Sequence, residues 1–141
     1  MGEKGMYRTW QMAVLLAFSL LMTGCSPRSL EDFKEEGEGI TRSLIQELQK
    51  IRSRDQLVAS TGRLQRLFDE LVLVAIAARE FHHTHQELEM IELTLTDHEL
   101  SDRLRVELNR IYRFEGGRQI IEKCQEAALN RLDACEKRLC K

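Results

Sequence analysis

Residues 57–82 read LVASTGRLQRLFDELVLVAIAAREFH, and this stretch decides the fold. Leu57, Thr61, Leu64, Phe68, Leu71, Ala75, Ala78 and His82 recur at spacings of three and four, which places them on one stripe of a helix running from about 55 to 86. Residues 71–78 carry no polar side chain on any face. A helix apolar all round is normally buried all round. The sequence thus predicts that this segment is central to a bundle, the alternative being that its surplus face docks a partner.

The flanking segments repeat the helical pattern. Leu30, Phe33, Gly37, Ile40, Leu44, Leu48 and Ile51 share one face, with Ser29-x-x-Asp32 available to cap the start. Gly37 and Gly39 weaken the first turns, so residues 40–53 are expected to be helical and 29–39 frayed or separately helical. Ser53-Arg-Asp-Gln56 reads as a capping box that opens the second helix directly behind the first, forming an antiparallel hairpin. Met90-Ile-Glu-Leu-Thr-Leu-Thr96 alternates like a strand but has no strand to pair with, so residues 87–96 read as a connection. Thr96-x-x-Glu99 then reads as a capping box for a third helix bearing Leu100, Leu104, Leu108 and Ile111, stopped by Gly116-Gly117. A fourth, 118–139, places Ile121, Cys124, Ala128, Leu132, Cys135 and Leu139 on one face. From Arg28 onward the chain has no proline and is dominated by Leu, Glu, Arg and Gln, which lose little rotamer freedom in a helix. The expectation is all-α: a small bundle of three or four antiparallel helices.

The N-terminus has a different character. Lys4 and Arg8 stand against Glu3, and residues 12–24 then form an uncharged, almost wholly apolar run that stops at Cys25-Ser26-Pro27. A basic head, a short apolar middle and a small residue before the cut make the layout of a secretory signal peptide. The run is shorter than the about 20 residues a transmembrane helix needs. Met22 at the third-last position fits ordinary A-x-A cleavage poorly. Leu21-Met22-Thr23-Gly24-Cys25 resembles the lipobox of bacterial lipoproteins. The resemblance implies cleavage after residue 24, a diacylglycerol-modified Cys25 as the new N-terminus, and membrane attachment through acyl chains such as palmitate. Taken with the helical pattern further on, the expected organisation is signal peptide 1–24, lipidated Cys and tether 25–39, and bundle 40–141. Ser26, where an Asp marks inner-membrane retention in some bacteria, favours the periplasmic face of the outer membrane. An uncleaved anchor and soluble secretion are the other readings of this segment.

Without residues 1–24 the chain keeps 117 residues, with 19 Lys+Arg against 22 Asp+Glu, a net charge of −3. That balance offers neither a basic footprint for nucleic acid nor a polybasic patch for the membrane surface. Attachment would rest on the acyl chains, each buried CH₂ contributing about 0.8 kcal/mol.

Candidate chemistry is sparse. Glu80-Phe-His-His-Thr-His85 clusters three histidines, with His82 and His85 on one helix face, and Glu80-x-x-His83 matches half of a di-iron bundle signature whose second half is missing. His82, His83 and His85 are therefore only weak metal candidates, and the sequence carries no covalent-haem motif and no other cofactor motif. Cys124 and Cys135 lie about 16 Å apart along one helix, beyond the about 7 Å a disulfide spans, and read as small buried apolar residues. Cys140 is the candidate for an intermolecular bridge. No G-x-S-x-G turn, phosphate loop or H-E-x-x-H occurs, so no enzyme is indicated. The expected function is a membrane-anchored binding or structural module of the cell envelope, with an envelope protein as partner. The alternatives are a periplasmic metal- or haem-handling bundle on the histidines, or an assembly chaperone of the pilotin kind using the apolar face of 71–78.

Overall fold

The computed structural model describes residues 29–85 and 95–139. Cys25, Cys140 and most of the connection expected at 87–96 lie outside them. Among the described residues four helices follow one another: α1 (Leu30–Lys50), α2 (Arg54–Thr84), α3 (Leu95–Ile111) and α4 (Gly117–Leu139). They form a small all-α bundle.

Helix α1 starts ten residues earlier than its glycines suggested, so the expected tether of 25–39 is helical from Leu30. Two local causes outweigh the two glycines. Ser29 Oγ accepts from the Asp32 amide at 3.1 Å while the Ser29 amide donates to Asp32 Oδ2 at 3.0 Å, so both orphan donors are satisfied. Phe33 is buried and meets Phe81 of α2 with ring centroids 5.6 Å apart, fastening the first turns to the bundle. At the other end Ser53 Oγ accepts from the Gln56 amide at 3.3 Å. The Gln56 side chain reaches one residue past the cap and accepts from the Arg52 amide at 2.7 Å. Only three residues separate the two helices, which therefore fold back on each other.

Helix α3 closes this hairpin. Its Arg110 donates to the carbonyls of Leu48 at 2.6 Å and Ile51 at 2.8 Å, and Glu107 holds the same guanidinium at 2.8 Å. A helix leaves its last carbonyls without partners, and here a charged fork from another helix supplies them. Helix α3 itself includes Leu95 and Thr96, so Thr96 is not its N-cap.

The turn into α4 needs both glycines, for different reasons. Gly116 has φ +67°, the left-handed region that β-carbons disfavour. Gly117 opens α4 so close to the end of α3 that a Cβ built on it would stand 2.2 Å from the Ile111 carbonyl oxygen.

The core draws on every helix: Leu44 and Leu48 from α1, Ile51 from the link, Leu57, Leu64 and Phe68 from α2, Ile111 from α3, and Ile121, Cys124 and Ala128 from α4. It sits towards the end where α1 turns into α2 and α3 into α4. Helix α2 is central, packing against both α1 and α4, while α3 packs on α1. Chain direction alternates, so consecutive helices run antiparallel, but α4 lies parallel to α2. Thr61 faces Cys124, Asp69 faces Arg131 at 3.1 Å, and Glu80 faces Arg138 at 3.5 Å, both numbers rising together. Helix α3 is likewise parallel to α1, with Lys34 on Asp97 at 3.2 Å and Gln49 on Glu107 at 3.4 Å.

Residues 71–78 are not buried all round. Every one of them is partly accessible, and Leu73 is 51 % exposed. With α1 and α4 on two sides of α2 and α3 laid against α1, part of this stretch has no helix over it among the described residues.

Candidate functional site

An apolar groove lies between α1 and α2 at the end from which the chain continues towards Cys25. From α1 it is walled by Leu30, Phe33, Lys34 and Gly37, and from α2 by Leu71, Val74, Ala75 and Ala78, enclosing about 230 Å³. The floor is low because Gly37 has no side chain: a Cβ there would rest 3.9 Å from Val74 Cγ1. The one charged residue of the wall, Lys34, is held by Asp97 and leaves the lining otherwise hydrocarbon. Sequence reading singled out the α2 wall through residues 71–78. The α1 wall went unforeseen, because Gly37 read as a helix-weakening residue when it is the space into which the groove extends.

The histidines lie at the same end of the bundle, on the last turn of α2. His85 stacks on Phe81 with centroids 4.2 Å apart, and its Nδ1 lies 2.9 Å from the Phe81 carbonyl oxygen, so the ring closes the helix end. His83 is exposed, and Glu80, three residues before it, is committed to Arg138. His82 Nδ1 is buried without a hydrogen-bond partner among the described residues. Among those residues no group of three His, Cys, Asp or Glu side chains is placed to hold a metal ion. The cluster is a helix terminus, with its side chains at the negative end of the helix dipole. Lys137 and Arg138 hold the same position on α4, which ends beside α2. Two parallel helix ends of like polarity make these cations useful.

Cys124 and Cys135 are buried free thiols. Cys124 Sγ points at the Thr61 carbonyl at 3.8 Å, and burial pushes its thiol up from the ordinary value, which disfavours the reactive thiolate.

A second, more polar depression is bordered by Glu47, Ala59, Ser60, Gly62, Arg63 and Arg66. Glu47 is nearly buried and accepts from Arg63 at 3.0 and 3.2 Å and from Lys50 at 3.3 Å. Burial alone would raise its carboxyl, but the donors from Arg63 and Lys50 outweigh it and hold the group below the ordinary 4.5. Both carboxylate oxygens of Glu47 are engaged within the protein, so this depression reads as an interhelical fastening. Asp69 resembles it: its buried Oδ1 takes no well-aligned hydrogen bond but faces the Arg131 guanidinium at 3.1 Å.

No helix among the described residues is long and apolar enough to cross a membrane. Compared with known protein families, curated proteins and solved structures, the chain matches none.

Proposed function

We propose that this chain is a lipid-anchored protein of the bacterial cell envelope, held to the bilayer through Cys25, whose helical bundle is a binding or structural module for an envelope partner. The observation that carries the reading is the apolar groove at the anchor end, which no other described residue covers. It is formed by the first turns of α1, which begin five residues after Cys25, and by the partly accessible stretch 71–78 of α2. An apolar cleft with few polar groups is the shape in which an apolar ligand or partner side chain docks. The lipobox-like 21–25 supports the anchor, and Ser26 supports the periplasmic face of the outer membrane as its site. A pilotin-like assembly chaperone is the second reading, favoured by the same open stretch of α2.

The test is metabolic labelling with a fatty acid in a bacterial host. The wild-type chain should carry label and fractionate with membranes, and Cys25→Ala should lose both. A mutant that still labels refutes the assignment. Capture of the lipidated protein from its own membranes, with mass spectrometry of what accompanies it, then identifies the partner.

A further inference from the structure

We infer that the groove between α1 and α2 is a binding site for an alkyl chain, and that its occupant is an acyl chain carried by Cys25 while the protein is away from a bilayer. This rests on the lipoprotein reading above. Apart from Lys34, which Asp97 holds, the lining is hydrocarbon, and its about 230 Å³ exceeds the roughly 150 Å³ apolar cavity that admits benzene. A saturated chain asks only for apolar contact without unmet polar groups. Phe33, Val74 and Ala78 offer that contact, and Gly37 lets the chain lie against the backbone of α1.

Reach selects this occupant. Leu30 is both the first residue of α1 and part of the groove wall. Five residues from Cys25 span at most about 18 Å when extended, which is enough to return a chain to the groove. It is too little to reach the far end of α1, whose 21 residues run about 32 Å. The groove, whose wall begins at Leu30, is thus the apolar surface nearest to the anchor along the chain. A second copy of the protein fits less well: the groove covers about two turns of each helix, against the roughly 800 Å² per partner of a stable interface. Insertion into a membrane offers the chain far more hydrocarbon, empties the groove, and leaves the same face open to the partner proposed above.

A photoactivatable fatty acid fed to cells producing the full chain tests this. The lipidated protein is purified, freed of detergent and irradiated as a mixture of isotopically heavy and light copies, and its cross-links are mapped by mass spectrometry. Cross-links should concentrate on the peptides carrying Phe33 and Val74 of the same molecule. Gly37→Leu, which fills the floor, and Val74→Glu, which puts a charge in the wall, should each lower them about tenfold. Both positions are partly accessible, so the variants keep their helicity, which circular dichroism verifies. Cross-links scattered outside the groove, unchanged in the variants, or joining heavy to light copies overturn the inference while leaving the anchor intact. Label that never enters residue 25 overturns the lipoprotein reading, and this inference with it.

Discussion

Replacing Gly117 by Ala tests the tightest point of the bundle. The added methyl would stand 2.2 Å from the Ile111 carbonyl oxygen, 3.1 Å from its carbon and 3.4 Å from Phe114 Cβ. The first two are backbone atoms, so no side chain can rotate out of the way. Ile111 and Ile121, on either side of the turn, are both fully buried, and pushing the turn open strains the core they share. The Gly117 amide donates to the Phe114 carbonyl at 2.9 Å and the Phe114 amide to Ile111 at 3.0 Å, and both bonds lengthen with it. Overpacking costs about 1–3 kcal/mol, and a weakened turn hydrogen bond adds about 1 kcal/mol. The expected loss is about 2–4 kcal/mol. Gly39→Ala is the matched control: it is also helical, yet nothing lies within 4 Å of its Cβ, so it should gain about 0.5–1 kcal/mol from helix propensity. Urea unfolding followed by circular dichroism measures both. If Gly117→Ala falls within about 0.5 kcal/mol of wild type, the range of an ordinary surface change, the close approach of α3 and α4 is wrong.

Arg110→Met removes the fork that seals the carbonyls of Leu48 and Ile51, and should cost about 2–3 kcal/mol in the same assay, the scale of hydrogen bonds to a charged group. Phe68→Ala should cost about 3–5 kcal/mol because the ring is buried in the core. Leu71→Ala, at the partly accessible wall of the groove, should cost only about 1 kcal/mol; equal losses at the two positions would show that residues 71–78 are covered. Glu47→Gln tests an electrostatic contribution. A carboxyl held below its unfolded value stabilises the fold above pH 4.5 and loses that effect as pH falls through the folded value. The variant should therefore be less stable than wild type at neutral pH, by about 0.5–1 kcal/mol because Arg63 and Lys50 are largely exposed. The gap should close on acidification, and a constant gap from pH 7 to about pH 3, below any ordinary Glu value, refutes the role of the charge.

The all-α class, the order of the helices and most of their limits are properties of the sequence alone. Their signals act over three or four residues: the repeat of Leu57, Leu64 and Phe68, the hydroxyls of Ser29 and Ser53 at helix starts, and the left-handed Gly116 at a stop. The histidine cluster was equally visible, but a cluster in sequence is a turn of helix in space, and His85 is spent on Phe81. What only the tertiary structure decided depends mainly on residues far apart in the chain. Local pattern carries no information on which helix lies beside which, because an apolar stripe is satisfied by any other apolar stripe. The placement of α3 on α1 therefore could not be read beforehand, and it is this placement that leaves residues 71–78 partly open and makes a groove. The same holds for Arg110, 62 positions from the carbonyl it caps, and for Gly37, whose missing side chain weakens a helix in isolation but becomes a cleft once α2 packs against it.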